Sequence, residues 1–459
     1  MYRAQFVLLA LGSCGDQEDT ARPCGEGTHW EGGACVLDGE TDSETDSETD
    51  TDADTDVDTD SDADTGVECS PCKGSFTIEN NFDLENFALC GSSTGSVSLA
   101  DQDWVASFHF PCFTTVGTHL NIQGNDALTT LELPSLTTVG DTLDIHNNTV
   151  LTGFELSSLT TTGDDLDIYN NDALTKIDLP SLTTVGGKLS LRDNTVLTSF
   201  DLSSLTIVNN NLGIEDNTAL TSFDLSSLTN VDDNLGIESN AALTSFDLSS
   251  LTIVRGYTNI LNNDALTSFD LPSLTGVAGN LGIKRNDTLT SPGLSSLRTV
   301  GGRLSMENNT ALTSLDLPSL TTVGEYLYIN ENDALTSLDM PSLTIVRDYV
   351  DIRDNASLTS LEMPSLPAVG GYLVIRDNAS LASVDLSSLT NVGGHLSIQL
   401  NDALTSVDGL SKLESVKGNV TVANCASLCQ SDAEAFVAGL AVGGKVSVYG
   451  NGRDRSDCE

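Results

Sequence analysis

The chain has 459 residues and a formal net charge of −48, from 67 acidic and 19 basic side chains, with 39% hydrophobic and 5% aromatic residues. A polyanion of this kind repels nucleic acid and anionic lipid surfaces, so a nucleic-acid partner is excluded, and cations or basic surfaces are favoured. Length alone suggests about three domains, but internal repeats override that expectation.

Met1-Tyr2-Arg3, the apolar run Phe6–Leu11 and then Gly12-Ser13-Cys14 describe a secretory signal of the lipoprotein type over residues 1–13. Cleavage before Cys14 would leave it lipidated and tether the chain to a membrane of the bacterial envelope, at the outer membrane and cell surface. An ordinary cleaved signal with Cys14 left as a thiol is the alternative. The apolar run is too short to span a bilayer.

Residues 14–36 read as a small loop stapled by Cys24 and Cys35. Residues 37–68 form an acidic linker. Asp38–Glu68 holds 15 acids and no base, which leaves 52 of the 67 acids against 19 bases elsewhere. Alternating charge, with too few apolar residues to bury a core, predicts an extended, disordered spacer, and Glu40–Asp64 would reach roughly 80 Å fully stretched. Alternating Asp also suggests calcium, but the Gly turn and distal acidic ligand of a calcium loop are not at the required spacing.

Ten cysteines in an exported chain predict disulfides. None falls between 113 and 424, so cross-links guard the ends of the array. Cys69-x-x-Cys72 with Cys90 and Cys112 reads as a disulfide cap over 69–112 rather than a zinc site. Cys429 and Cys458 are the candidate bridge of a C-terminal cap over 425–459. With Cys14 set aside nine remain, so one thiol is left over.

From residue 69 the chain is periodic. Leu-x-Ile recurs at one constant step, from Leu120/Ile122 and Leu143/Ile145 through Leu235/Ile237 and Leu327/Ile329 to Leu396/Ile398, with Val97/Leu99 one step upstream. Phe76/Ile78, Val420/Val422 and Val446/Val448 are irregular end rungs. A constant step over so many turns signals a solenoid. Leu327–Val346 contains period-2 stretches around 327–329 and 338–340, the second closed by Pro341. The chain is therefore expected to be mainly β: a right-handed parallel β-solenoid of 23-residue turns, with Leu, Ile and Val inward and both ends capped.

An Asn recurs with the same step, from Asn125 through Asn240 to Asn401 and Asn424. Its amide can serve the backbone at a tight corner and bond between rungs. Ser431-x-x-Glu434 reads as a capping box opening a helix over 432–440 that covers the last edge. Pro292-Gly293 interrupts the second strand.

Leu-x-Ile-x-x-Asn-x-x-Leu matches the leucine-rich-repeat core. The fuller unit, Leu373-Val-Ile-Arg-Asp-Asn378-Ala-Ser-Leu381 through Leu389-Thr-Asn-Val392-Gly-Gly394, resembles the receptor L-domain. The resemblance covers roughly 69–459. It implies a ligand-binding repeat surface without catalysis. The array is much longer than one receptor lobe, so hormone binding is not carried over.

Outward positions flank each inward Leu/Ile pair. Most are plain, but Tyr326/Tyr328, Tyr349/Asp351/Arg353 and Tyr372/Val374/Arg376 gather aromatic and Arg residues, as binding hot spots do. Tyr326, Tyr328, Tyr349, Arg353, Tyr372 and Arg376 are the candidate binding residues, expected to form one aromatic, locally cationic patch for a glycan or surface protein. Solvent-facing stacking that stabilises neighbouring strands is the alternative.

A second outward stripe is acidic: Glu132, Glu155, Asp178, Asp201, Asp224, Asp247, Asp270, Asp316, Asp339, Glu362, Asp385 and Asp408. It would be a solvated face that collects diffuse cations. Threonine ladders (Thr137, Thr160, Thr183, Thr206; Thr198, Thr221, Thr244, Thr267) suit β-structure, with ice binding as the remote reading. The five His show no metal-ligand spacing, and no cofactor or catalytic residue is assigned. A ligand-binding or adhesion protein on an acidic stalk is the expected function. An envelope spacer without a defined ligand is the alternative.

Overall fold

The computed structural model describes residues 28–31, 34–37 and 69–452. The signal segment with Cys14, the acidic linker, Cys24 and Cys458 lie outside the described residues. The chain divides into two units, Met1–Thr65 and Gly66–Glu459. In the first, Thr28–Glu31 pairs antiparallel with Ala34–Leu37, Trp30 opposite Cys35.

The second unit is the expected β-solenoid. Each regular turn holds three short strands. In one turn these are Leu327–Asn330, Ser337–Asp339 and Ile345–Val346. We call the sheets they build the LxI, aspartate and valine sheets. Pairings between the regular turns are parallel and in register, as in Leu304↔Leu327 and Leu327↔Val350. The LxI and valine sheets each run through 17 strands. The aspartate sheet is broken into segments. Ser291–Gly293 pairs with Ser268–Asp270 in register, but the next ladder begins at Ser314–Asp316. Pro292-Gly293 thus keeps its strand and interrupts the sheet only on its downstream side.

The turn is closed by what its sequence places inward. Leu327, Ile329, Leu335, Leu338, Met340, Leu343 and Val346 are all 2% exposed or less. Period 2 points alternate residues inward within each strand, and the corners restart the count. One turn leaves both its edges open, so the core exists only through stacking.

The corner after each LxI strand takes a left-handed residue, such as Asn147 (φ 55°), Asp193 (φ 56°) and Asn308 (φ 58°). Asn and Asp tolerate that region best. The next residue is the ladder Asn, fully buried in every turn from Asn125 to Asn401. Asn240 Nδ2 donates to Ile214 O at 2.8 Å and to Asn263 Oδ1 at 3.4 Å. Asn240 Oδ1 accepts from Asn217 N at 3.1 Å. Both expected uses of the amide occur together.

The threonine ladders are also bonded between rungs. Thr160 Oγ1 donates to Thr137 O at 2.9 Å, and Thr221 Oγ1 to Thr198 O at 3.2 Å.

The N-terminal end is closed by helix α1 (Asn81–Phe87), whose Asn80 side chain accepts from the Phe82 and Asp83 amides. Phe87 packs against Phe76, Phe108, Phe110 and Phe113 with ring centroids 4.7–5.7 Å apart. Cys69–Cys112 and Cys72–Cys90 are disulfides.

The C-terminal end departs from expectation in two ways. Helix α2 spans Gln430–Ala438, starting and ending earlier than the capping-box reading, with Cys429 as its N-cap residue. It does not cover the last edge. Ala441–Val442 and Val446–Tyr449 follow it and form the terminal strands. The last two turns are also longer. Leu396 pairs with Val420 and Val420 with Val446, and both steps exceed the regular one that carries Leu373 to Leu396. The insertion moves Asn424 off the ladder and into the left-handed corner (φ 57°). Cys425 and Asn451 take the ladder places instead: Asn451 Nδ2 donates to Val422 O at 3.0 Å, and its Oδ1 accepts from Cys425 N at 3.2 Å. Cys429 is disulfide-bonded. Among the described residues, no helix is long and apolar enough to cross a membrane.

Candidate functional site

The outward face of the LxI sheet carries three columns, one on each side of the Leu/Ile pair and one between them. The column just before the Leu does structural work in many turns. Asp165 Oδ1 accepts from Lys188 N (2.6 Å), and Asn211 Oδ1 from Asn234 N (3.1 Å). Asn234 Oδ1 accepts from Tyr257 N (2.8 Å), and His395 Nδ1 from Asn419 N (2.7 Å). A short polar side chain here caps the amide of the next rung.

Tyr326, Tyr349 and Tyr372 occupy this same column and cannot make that bond. They stack instead. Ring centroids are 5.0 Å apart for Tyr326–Tyr349, 4.6 Å for Tyr349–Tyr372 and 4.7 Å for Tyr372–His395. The repeat sets the spacing, because successive rungs stand about 4.8 Å apart. Tyr328, in the middle column, lies 5.7 Å from Tyr326 and carries Arg303 at 4.3 Å over its ring. The four candidate tyrosines therefore form one ridge, which His395 extends.

The arginines do not join it. Arg353 and Arg376 lie in the column beyond the Ile, four positions from the tyrosine column and about 13 Å away along the strand. Arg353 Nη2 lies 3.4 Å from Asp351 Oδ2, and Arg376 Nε 2.6 Å from Asp377 Oδ2. The expected cationic patch is not there, because local carboxylates answer both guanidinium groups. Asp348 raises the Tyr326 and Tyr349 phenol pKa values. Burial pushes Asp351 and Asp354 up, the latter further through Asp377.

A second aromatic stack escaped the sequence reading. His146 and Tyr169 are register partners on neighbouring rungs, in the column beyond the Ile. They stack at 4.4 Å, and Arg192 stands 4.2 Å over Tyr169. Two aromatics at one repeat spacing were the available signal. His146 Nε2 is 3.5 Å from Asp144 Oδ2, and burial raises Asp144 above the usual carboxylate range. Tyr169 covers one face of that imidazole.

The acidic stripe stacks as expected through much of its length, with Asp201↔Asp224↔Asp247 in register. Several members also hold the turn behind them: Asp201, Asp224, Asp247 and Asp385 accept from Ser203, Ser226, Ser249 and Ser387 amides at 2.8–3.0 Å. Asp408 leaves the stripe and opens a 3-10 turn, Asp408–Leu410.

No family model matches the chain, and no curated protein matches it. Among solved structures it is similar to a leucine-rich repeat protein from Bacteroides ovatus, at 14% identity over 62% of this chain and 86% of that one, TM-score 0.20. A TLR13–ssRNA13 complex is similar at 15% identity over 82% and 86%, TM-score 0.15. The pneumococcal vaccine antigen PcpA is similar at 13% identity over 77% and 85%, TM-score 0.17. At these scores the likenesses carry no argument. The solenoid rests on its own strand pairings.

Proposed function

We propose that this chain is a non-catalytic recognition protein, displayed at a bacterial cell surface, with the LxI sheet as its binding face. One observation carries the proposal. Tyr326, Tyr349 and Tyr372 stand where other turns place an amide-capping Asn, Asp or His, and they give up that bond to present a ridge of aromatic edges and hydroxyls. Departures from a repeat's own local rule are expected at functional sites. Aromatic side chains supply contact area at low entropic cost.

Display rests on the sequence that precedes Cys69, with Cys14 as the lipid anchor and the acidic linker as a stalk. The acidic stripe would gather diffuse cations.

The test uses the full chain. Tyr326→Ala/Tyr349→Ala/Tyr372→Ala should abolish binding to whole cells or a glycan array, while Asp178→Asn/Asp201→Asn/Asp224→Asn on the aspartate sheet should leave it intact. Unchanged binding by the tyrosine variant rules the ridge out. The second reading is a spacer without a ligand, favoured by the uniform Asn and Thr ladders. A wild-type chain that retains nothing from either source would support it.

A further inference from the structure

We propose that the ridge docks a basic, extended polypeptide segment rather than a neutral sugar chain; this rests on the ridge reading above. Sugar recognition by aromatic side chains uses ring faces. Here the faces of Tyr349 and Tyr372 are taken by their neighbours, at 4.6–5.0 Å on both sides. What reaches solvent is ring edges and phenol oxygens, aligned along the solenoid. Such a row offers hydrogen bonds and a partly apolar wall to a chain lying beside it.

The charge around the row selects the partner. In the three turns that build the ridge, Glu325 and Asp348 flank the tyrosine column against Arg347, and Asp351 stands in the middle column. Arg303 over Tyr328 is paired with Glu307, and Glu331, Asp354 and Asp377 lie beyond the Ile with Arg353 and Arg376. Arg353 and Arg376 are already paired with Asp351 and Asp377. Asp348 lies close enough to Tyr326 and Tyr349 to disfavour phenolate at both. An acidic ligand would meet uncompensated repulsion. A lysine- or arginine-bearing ligand would relieve it and gain charge-assisted bonds. Four rungs span about 14 Å, the reach of about four extended residues.

The experiment probes an array of random octapeptides with the full chain, at low and at physiological salt. The tyrosine triple variant and Glu325→Gln/Asp348→Asn/Asp351→Asn run alongside. The expected result is enrichment of Lys- and Arg-rich peptides. The tyrosine variant should lose about tenfold or more in affinity for them, the carboxylate variant should lose a comparable amount, and binding should weaken as salt rises. If the tyrosine variant loses ligands that are neutral or acidic, the ridge is a binding site and the charge inference is overturned. If the tyrosine variant retains every wild-type peptide, including basic ones captured elsewhere on this polyanion, or if the array shows no binding, both readings fall. A neutral glycan held by the wild type and lost with the tyrosines overturns the polypeptide assignment alone.

Discussion

The Cys425 thiol stands where Asn401 stands one turn earlier, and it imitates the amide. Its Sγ lies 3.6 Å from Ala423 O and 4.0 Å from Ile398 O, the carbonyl places that ladder asparagines bond, and the Asn401 backbone amide points back at the sulfur. Cys425 is the free cysteine among the described residues, and burial pushes its thiol up. A thiol that is both buried and poor in thiolate reacts slowly. Native protein should therefore keep Cys425 unalkylated at neutral pH and release it to iodoacetamide only on unfolding, as peptide mass spectrometry would read. Prompt native labelling would contradict this placement.

The asparagine ladder should be worth more than its hydrogen-bond count suggests. Replacing Asn240 by Ala removes a donor to Ile214 O and an acceptor for Asn217 N inside a dry core. Leaving buried partners unsatisfied costs about 1–3 kcal/mol. Urea unfolding of Asn240→Ala should show a loss in that range. The same substitution at exposed Asn210 should show almost none.

Tyr349→Asn separates the two roles of its column. The variant loses two ring contacts, each worth about 0.5–1.5 kcal/mol. It gains a cap for the Tyr372 amide like the one Asn234 gives Tyr257 at 2.8 Å, worth about 0.5–1.5 kcal/mol. The net should be a stability loss of about 0.5–1.5 kcal/mol, read by thermal melting, while ligand binding drops. A large stability loss with intact binding would make the ridge a structural stack.

How much of this was legible in the sequence depended on spacing. The repeat step survives unbroken from Val97 to Leu396, so the strands and the inward set followed from it. The cap did not, because Cys425 hides a ladder place behind a small insertion and Asn424 offers a false continuation. The four N-terminal cysteines admit three pairings, and only the fold brings Cys69 to Cys112 and Cys72 to Cys90. The capping column was invisible because Asp, Asn and His share its task without sharing a letter. The arginines were misjudged because side chains four positions apart on a strand share a face without touching, while neighbouring Asp351 and Asp377 are within reach.

Glu215 is expected to make folding pH-dependent in a known direction. Burial first, and neighbouring Glu238 second, raise its pKa in the fold. The carboxylates bend over bare backbone: Glu215 Oε1 lies 3.0 Å from where a Gly213 side chain would begin. A raised carboxyl binds more protons folded than unfolded, so its contribution is most favourable below the ordinary glutamate range and is lost as pH rises through the shifted value. Glu215→Gln should therefore melt higher than the parent near neutral pH, and the gap should close on acidification. A gap that widens in acid would reverse the assignment.

The ridge can be tested in place by hydroxyl-radical footprinting of the full chain, alone and with its captured basic peptide. Docking on the LxI face predicts protection confined to Tyr326, Tyr328, Tyr349 and Tyr372, with His395 at its margin, and unchanged modification of Tyr169 and Tyr257. Protection that spares those tyrosines and falls instead on Tyr169 or Tyr257 would contradict it.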